Sequence, residues 1–448
     1  LTLKTGDKLF NSSELSFYII SLGCSKNLVD SERINGEMIS AGFNLSQSSE
    51  DADIIIINTC GFIKDAKEES IGVIFDALDM KEQYAEEGSL HSFPGKKIVA
   101  LGCLTKRYFD EINNDIPEID FLYPIPDSSF VPAMAAEFNI KIRALLSKRK
   151  PLYSNPPFSY IKISDGCSNN CSYCAIPLIR GGHKAFDPEF IYSEALEAVK
   201  NGAIELIIIA QDIASYRWGE TALPQLVKKI SAIGGLKWIR LLYCHPDNIT
   251  DEIIDLIAEN SKVVPYIDIP FQHINSRILK SMGRKGDYKV YLDLVKRLRD
   301  RVEGIVIRST FMTGYPGETV DEFNELLDFI NEARLDKVGC FIFSPEDDTA
   351  AADMADDVNP EIKQERFDAL MSLQMRISEE KLQAMIGSEV DVLVEEKIDE
   401  QTYIGRTPFD APEVDGVFYL TSASDRVNSI VRARITDSYE YDLIGEIL

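Results

Sequence analysis

A chain of 448 residues is too long for one hydrophobic core and predicts two to four domains; at 45% hydrophobic and 27% charged it has the composition of a folded globular protein. No stretch nears the roughly 18 consecutive apolar residues of a membrane span, and no secretory leader pattern opens the chain, so neither a membrane protein nor a secreted one is expected. Lys and Arg number 47 against 73 Asp and Glu, and the net charge of −26 repels phosphate backbones and favours a basic partner, unless it serves solubility alone.

The sequence opens at Leu1 rather than at a methionine, so a few native residues are expected to be missing or trimmed. Three strand-like runs each end at a cysteine: FYIISLGC at Cys24, IIIINTC at Cys60 and KKIVALGC at Cys103. Between them, Val29 to Ala41 and Lys64 to Leu78 carry apolar residues at helical spacing. Strand, helix and strand in succession predict a parallel sheet with right-handed crossovers, whose strand ends converge on one edge. Cys24, Cys60 and Cys103 should therefore meet, although 36 and 43 residues separate them. A cysteine at a strand end is often simply a small buried hydrophobe. Here all three sit beside glycine or in a Thr-Cys-Gly turn that lets backbone approach a bulky object, which favours ligands. Three thiolates with no fourth candidate describe an iron–sulfur cluster with one open iron.

From Asp110 to about Ile125, Pro117 and Pro124 predict irregular connections, with Pro126 just beyond. Residues 147 to 158, SKRKPLYSNPPF, have the composition of a linker, and a solvated hinge is the expected reading of their basic cluster.

Tyr160 to Ser164 alternate as a strand does, and Asp165-Gly166 turn the chain into a loop holding Cys167, Cys171 and Cys174. Structural zinc sites take four protein ligands in separated pairs, whereas closely spaced thiolates hold iron–sulfur clusters. A zinc loop completed by His183 is the alternative. The C-x3-C-x2-C spacing, with Tyr173 before the third cysteine, resembles the signature of the radical S-adenosylmethionine (SAM) enzymes, whose open iron is chelated by the amino and carboxylate groups of SAM. Five further strands are predicted at 204 to 210, 238 to 243, 263 to 269, 305 to 312 and 338 to 343. Helices are predicted near 188 to 200, 223 to 233, 251 to 259, 288 to 301, 320 to 333 and 361 to 385. This six-unit array resembles the partial (β/α)6 barrel of that superfamily, with its active site at the carboxyl ends of the strands.

Polar groups follow the other strands: Gln211-Asp212, Tyr243 with His245-Pro246, Gln272-His273, Arg308 to Thr313, and Ser344-Pro345-Glu346. Each is as suited to capping a helix as to touching substrate. The segment IRSTFMTGYPGET resembles the superfamily's strand and turn near SAM, which makes Arg308, with Gln211, a candidate for binding it. The histidines lack ligand-like partners and read as polar loop residues; Cys244 and Cys340 read as structural.

From about Gly387 the runs EVDVLVEE, TYIGRTPF, VFYLTS and IVRARITD predict a small all-β barrel. It resembles the TRAM domain that closes the methylthiotransferases, as SKNLVDSE and NTCGFIKDAKEES resemble their amino-terminal domain, which holds a second 4Fe-4S cluster. Residues 385 to 448 hold five Lys or Arg against fourteen Asp or Glu, so RNA binding there is not expected and a basic protein is the better complement.

The resemblance to the methylthiotransferase family spans the chain as a cluster domain (1–147), a linker (148–158), a radical SAM barrel (159–385) and a TRAM module (386–448). AQDIASY, RLLYCHPDNITDEII, DIPFQHINSRIL and GRTPFDAPEVDG point within it to the branch that methylthiolates an aspartate of a small-subunit ribosomal protein. A tRNA adenosine methylthiotransferase and a non-catalytic iron–sulfur scaffold are the alternatives. Where the family usually has serine-arginine-proline after Arg180-Gly181, this chain has GHKAF, so that arginine's contacts would fall to His183 or Lys184. The resemblance implies two 4Fe-4S clusters, one on Cys24, Cys60 and Cys103 and a SAM-binding one on Cys167, Cys171 and Cys174. It also implies a 5′-deoxyadenosyl radical that takes hydrogen from the aspartate β-carbon, a reductant such as flavodoxin, and no catalytic side chain beyond the cluster ligands. The cysteine usage suits a reducing cytoplasm, with the substrate on or near the ribosome.

Overall fold

The computed structural model describes residues 9–86, 93–146, 148–152, 157–422 and 424–448. Its contacts divide the chain into two units: Leu1–Ser154 with Ala175–Gly181, and Asn155–Cys174 with Gly182–Leu448.

The first unit is built on a five-stranded sheet in the order Asn44–Leu45, Ser16–Ser21, Ile54–Thr59, Lys97–Gly102, Phe121–Leu122, every pairing parallel. Its central strand is buried throughout, as a parallel strand covered on both faces must be, which is why it is written as four consecutive isoleucines. Those isoleucines alternate between two cores. Ile54 and Ile56 pack with Phe17, Met38 and Phe130, and Ile55 and Ile57 with Ile74, Ile98 and Leu104. The helices Ser25–Ala41 and Lys64–Glu86 supply the crossovers, and the first ends at Gly42 in the left-handed conformation.

Two expectations for this unit need correction. The proline-marked segment contains a helix, Phe109–Asp115, and the edge strand Phe121–Leu122. Pro117 only stops the helix, while Ile112, Ile116 and Ile119 anchor the segment in the core. The start of the linker is no free hinge: the Lys150 N–H donates to the Glu32 carbonyl (3.1 Å), the Asn35 amide to the Pro151 carbonyl (2.8 Å), and Arg149 Nε to Glu32 Oε2 (2.7 Å). Only a glycine at position 36 admits this, because a Cβ there would lie 1.7 Å from the Lys148 carbonyl oxygen. Residues 147 and 153–156 of that linker lie outside the described ones.

In the second unit, six parallel strands run in the spatial order Lys337–Ile342, Val306–Thr313, Val263–Asp268, Trp238–Leu241, Glu205–Ile209, Phe158–Lys162. Helices Pro188–Lys200, Asp251–Glu259, Tyr288–Arg301 and Val320–Ala333 fall where spacing predicts them. One sheet face, with Ile161, Leu206, Ile208, Ile239, Ile267 and Ile307, packs into the large core with the helices. Lys162, Glu205, Arg240, Asp268 and Arg308 alternate with these residues along the same strands.

A five-stranded closed barrel ends the chain, in the order Glu389–Lys397, Thr402–Arg406, Phe418–Thr421, Leu443–Ile447, Ser429–Ser438. Its last strand, Leu443–Ile447, adds a fifth to the four runs legible in sequence, and it closes on Gly445, where a Cβ would stand 2.3 Å from the Arg434 carbonyl oxygen. The connection after Arg406 docks on the charged residues of the six-stranded sheet. Arg406 Nη2 reaches Glu205 Oε2 (2.7 Å), Arg240 Nη1 the Pro408 carbonyl (2.8 Å) and Lys337 Nζ Asp410 Oδ1 (2.7 Å). The Tyr160 and Tyr266 hydroxyls donate to Glu413 (3.2 Å) and Asp415 (2.7 Å). Among the described residues no helix is long and apolar enough to cross a membrane.

Candidate functional site

Cys24, Cys60 and Cys103 each stand just past the carboxyl end of a parallel strand of the first unit, where backbone direction brings them to one edge. Cys24 is the N-cap of helix Ser25–Ala41 and is exposed, whereas Cys60 and Cys103 are buried. Ser70 Oγ fixes the Cys60 backbone at both ends, accepting from its N–H (2.9 Å) and donating to its carbonyl (2.9 Å).

Glycine lets the three turns touch. A Cβ at Gly23 would lie 2.7 Å from Cys60 Sγ, one at Gly61 2.7 Å from the Leu104 amide nitrogen, and one at Gly102 2.6 Å from the Thr59 carbonyl oxygen. The three sulfurs are near enough to disfavour one another's ionisation. Burial pushes the Cys60 thiol up to about 11, with the charges of Cys24 and Cys103 adding to it. Burial likewise raises Cys103, against the pull of Arg180. At Cys24 the protein around the sulfur acts in the same direction. Lys26, the Asn27 N–H and Arg180 outweigh it and bring that thiol below its ordinary value, as a helix amino terminus does.

Three thiolates are the donors of an iron–sulfur cluster rather than the oxygen donors that a hard cation takes. Among the described residues no three His, Cys, Asp or Glu side chains are gathered tightly enough to hold a single ion. Ligands of a four-iron cluster bind separate irons and stand wider apart than ligands of one ion.

Cys167, Cys171 and Cys174 lie on the loop that leaves strand Phe158–Lys162, all partly exposed. The loop is held at several points: the Ser172 N–H donates to the Met282 carbonyl (3.0 Å), Asn169 Nδ2 to Asp212 Oδ2 (3.0 Å), and the Cys174 N–H to the Cys171 carbonyl (3.1 Å). Asn170 takes a left-handed φ of 52° to make the turn, and the Gly283 backbone passes close beneath, where a Cβ would lie 3.0 Å from the Asn170 carbonyl oxygen. Buried Arg284 spans from the Phe271 carbonyl (3.0 Å) to the neighbourhood of Cys171 and Tyr173.

The remaining candidates are placed as follows. Gln211 Nε2 donates to Asp165 Oδ1 (3.2 Å) at the mouth of the cysteine loop, while its buried Oε1 has no partner among the described residues, an acceptor left over for a donor. Arg308 is held by the protein's own carboxylates, Asp268 at 3.0 Å and Asp415 at 3.5 Å. His183 donates its backbone N–H to Ser168 Oγ (3.0 Å), and exposed Lys184 pairs in a short antiparallel ladder with Asp165. His91 lies outside the described residues; His245 and His273 are on loops, as expected, but buried. Each uses Nδ1 to accept a backbone N–H two residues on, from Asp247 (3.3 Å) and Asn275 (3.0 Å), and His273 is fully buried beside Glu318. Cys244 and Cys340 are buried on strands or just past them. Sequence reasoning missed Arg180, whose side chain is 2% exposed and ends among Asp30, Asn27 and Cys103; a lone arginine after a cysteine loop carries no pattern that reveals this.

Three family models match in chain order: uncharacterized protein family UPF0004 over residues 16–124, the radical SAM superfamily over 161–330, and the TRAM domain over 386–448. The chain is 40% identical to a ribosomal protein uS12 methylthiotransferase RimO from Citrifermentans bemidjiense, covering 96% of this chain and 98% of that one. It is 41% identical to the same enzyme from Desulforamulus reducens, over 96% and 99%. Among solved structures, the radical SAM methyltransferase TsrM from Kitasatospora setae superposes with a TM-score of 0.55 at 13% identity, covering 74% of this chain and 72% of that one, a likeness of fold.

Proposed function

This chain belongs to the RimO family of radical SAM methylthiotransferases, and from that premise we propose that it transfers a methylthio group to the β-carbon of an aspartate in ribosomal protein uS12. The observation that carries the reading is likeness at about 40% identity over nearly the whole of both chains. Membership of the radical SAM superfamily implies a 4Fe-4S cluster and SAM. We assign that cluster to Cys167, Cys171 and Cys174, and a second one to Cys24, Cys60 and Cys103. When bound, these groups supply the electron, the hydrogen-abstracting radical and the methylthio group.

The chain's own residues hold and orient. Asp212, accepting from Asn169, fixes the SAM-cluster loop to the next strand end, and Gln211 offers its unpartnered Oε1 to SAM. Arg308 is a poorer partner for the SAM carboxylate than its strand position implies, because Asp268 and Asp415 already balance its charge. Cytoplasmic location and electron delivery by a flavodoxin-like protein belong to the same reading.

Mass spectrometry of uS12 and of tRNA after incubation with anaerobically reconstituted enzyme, SAM and a reductant tests the function. A methylthio group on uS12 is expected. One on tRNA, or on neither, overturns the proposal.

Two further outcomes are expected. Gly61 is not in a left-handed conformation, so Gly61→Ala costs only the clash with the Leu104 backbone beside Cys103. That clash should spread the first thiol set and remove about half the reconstituted iron; iron analysis at the parent level would refute the convergence of these turns on one cluster. The acidic terminal barrel is the proposed attraction for basic uS12. Glu395 does not serve, because it is bound to Arg406, but Glu396, Asp399 and Glu400 are exposed. Reversing those three to Lys should slow association with uS12 about tenfold at low salt, measured by stopped flow. Unchanged rates would reduce the acidity to solubility.

A further inference from the structure

Arg180 is the last residue of helix Ile176–Arg180 and the sixth residue after Cys174, yet its segment, Ala175–Gly181, belongs by its contacts to the first unit. There Ala175 and Ile179 pack with Ile125 against Cys103. The guanidinium is then forked. Nη1 donates to Asp30 Oδ2 (2.8 Å), while Nη2 donates to Asn27 Oδ1 (2.7 Å) and to Cys103 Sγ (3.4 Å). Asn27, fully buried, is fixed by its own amide, which donates to the carbonyls of Leu22 and Thr59 (both 3.0 Å), so its oxygen can only face the arginine and the thiol. These two carbonyls belong to the turns that carry Cys24 and Cys60.

A buried guanidinium is costly to desolvate, and part of that cost is offset by Asp30, itself only 7% exposed, and by Asn27. What an aliphatic side chain cannot do is donate an N–H to a sulfur. Hydrogen bonds to sulfur and the net local charge are the terms by which a protein sets an iron–sulfur potential, since each stabilises the more negative, reduced form.

We propose that Arg180 is a positioning residue for the cluster on Cys24, Cys60 and Cys103, holding the Cys103 thiolate in place and raising that cluster's reduction potential through its Nη2–H to Sγ bond and its charge. The inference rests on the assignment of that cluster made above. It gives the short helix that follows the SAM-cluster loop a task in the other thiol set.

The test uses the full chain with Cys167, Cys171 and Cys174 replaced by alanine, so that only the first set can hold iron, and reads the midpoint potential by anaerobic redox titration followed by electron paramagnetic resonance. R180Q, which keeps a polar side chain but loses the charge, should shift the ratio of oxidised to reduced cluster about tenfold toward the oxidised form at a fixed potential, a fall of about 59 mV for one electron. R180K, which keeps the charge without the fork, should fall by less. In the converse background, with Cys24, Cys60 and Cys103 replaced, R180Q should leave the midpoint where it was. An iron-loaded R180Q with the parent midpoint overturns the inference alone. Loss of iron in R180Q, with R180M, which has neither the charge nor the N–H, restoring both iron and the parent midpoint, would make the residue a strut and also overturns it. No iron in the starting background would overturn the cluster assignment, and the inference with it.

Discussion

Replacing Cys167, Cys171 and Cys174 together by alanine is expected to abolish SAM cleavage to 5′-deoxyadenosine and to leave about half the reconstituted iron. The effect should be total rather than graded, because the reaction needs an electron delivered to SAM at an open iron and no amino-acid side chain can substitute for that step. The converse triple replacement, at Cys24, Cys60 and Cys103, should remove the other half of the iron and leave 5′-deoxyadenosine formation in place while methylthiolation of uS12 disappears. Anaerobic iron analysis with chromatography of the SAM products separates the two cases. Cleavage that survives the first replacement, or iron that stays whole after the second, would sink the assignment of two clusters. Because the two thiol sets lie on separate turns of separate units, each set of substitutions should leave the other unit folded.

The thiol sets were legible in the sequence because each depends on local order. In the first unit, three strands end at three cysteines and parallel topology carries them to one edge; in the second, the spacing itself gathers the sulfurs. What the sequence hid depends on pairings across long separations. Strand alternation marks Lys162, Glu205, Arg240, Asp268 and Arg308 as facing away from the helix-packed core. Nothing local shows that several of them meet a turn lying more than 100 residues further on, at Arg406 to Asp415. The phrase GRTPFDAPEVDG therefore reads as a family marker in one dimension and is a docking element in three. Glu395 looks like one more surface acid in an acidic module until Arg406 is placed beside it. The same reason explains Arg180: its partners Asn27 and Cys103 lie far back in the chain, and only the fold joins them.

That docking element carries the second large expected effect. Glu205 is completely buried and bridges two guanidiniums, accepting from Arg240 Nε (2.7 Å) and Arg406 Nη2 (2.7 Å). Arg406 also binds both oxygens of Glu395 (2.9 and 3.0 Å from Nε), but among the described residues Arg240 hydrogen-bonds no second carboxylate, and its other contacts are the carbonyls of Pro408 and Thr407 and the face of Tyr266. Glu205→Gln keeps the shape and removes the counter-charge, leaving a buried cation unpaired, and should cost about 3–5 kcal/mol. Burial pushes the Glu205 carboxyl up, but Arg240 and Arg406 outweigh it, and the net direction is down. A carboxyl depressed in the folded state contributes stability that is present above the ordinary carboxylate range and is lost as pH falls through the folded value. The gap between parent and E205Q should therefore be full at pH 7 and close at acid pH, since the glutamine has no proton to gain. Urea unfolding followed by tryptophan fluorescence reads the difference, for Trp238 lies two residues before Arg240 on the same strand and is buried. Hydrogen exchange should rise first in the Phe409 to Asp415 connection, whose carbonyls and carboxylates the network holds. A variant within about 1 kcal/mol of the parent at pH 7 would show that the ion pairs contribute only what a neutral hydrogen-bonded contact would, and that apolar packing fixes the terminal barrel to the sheet.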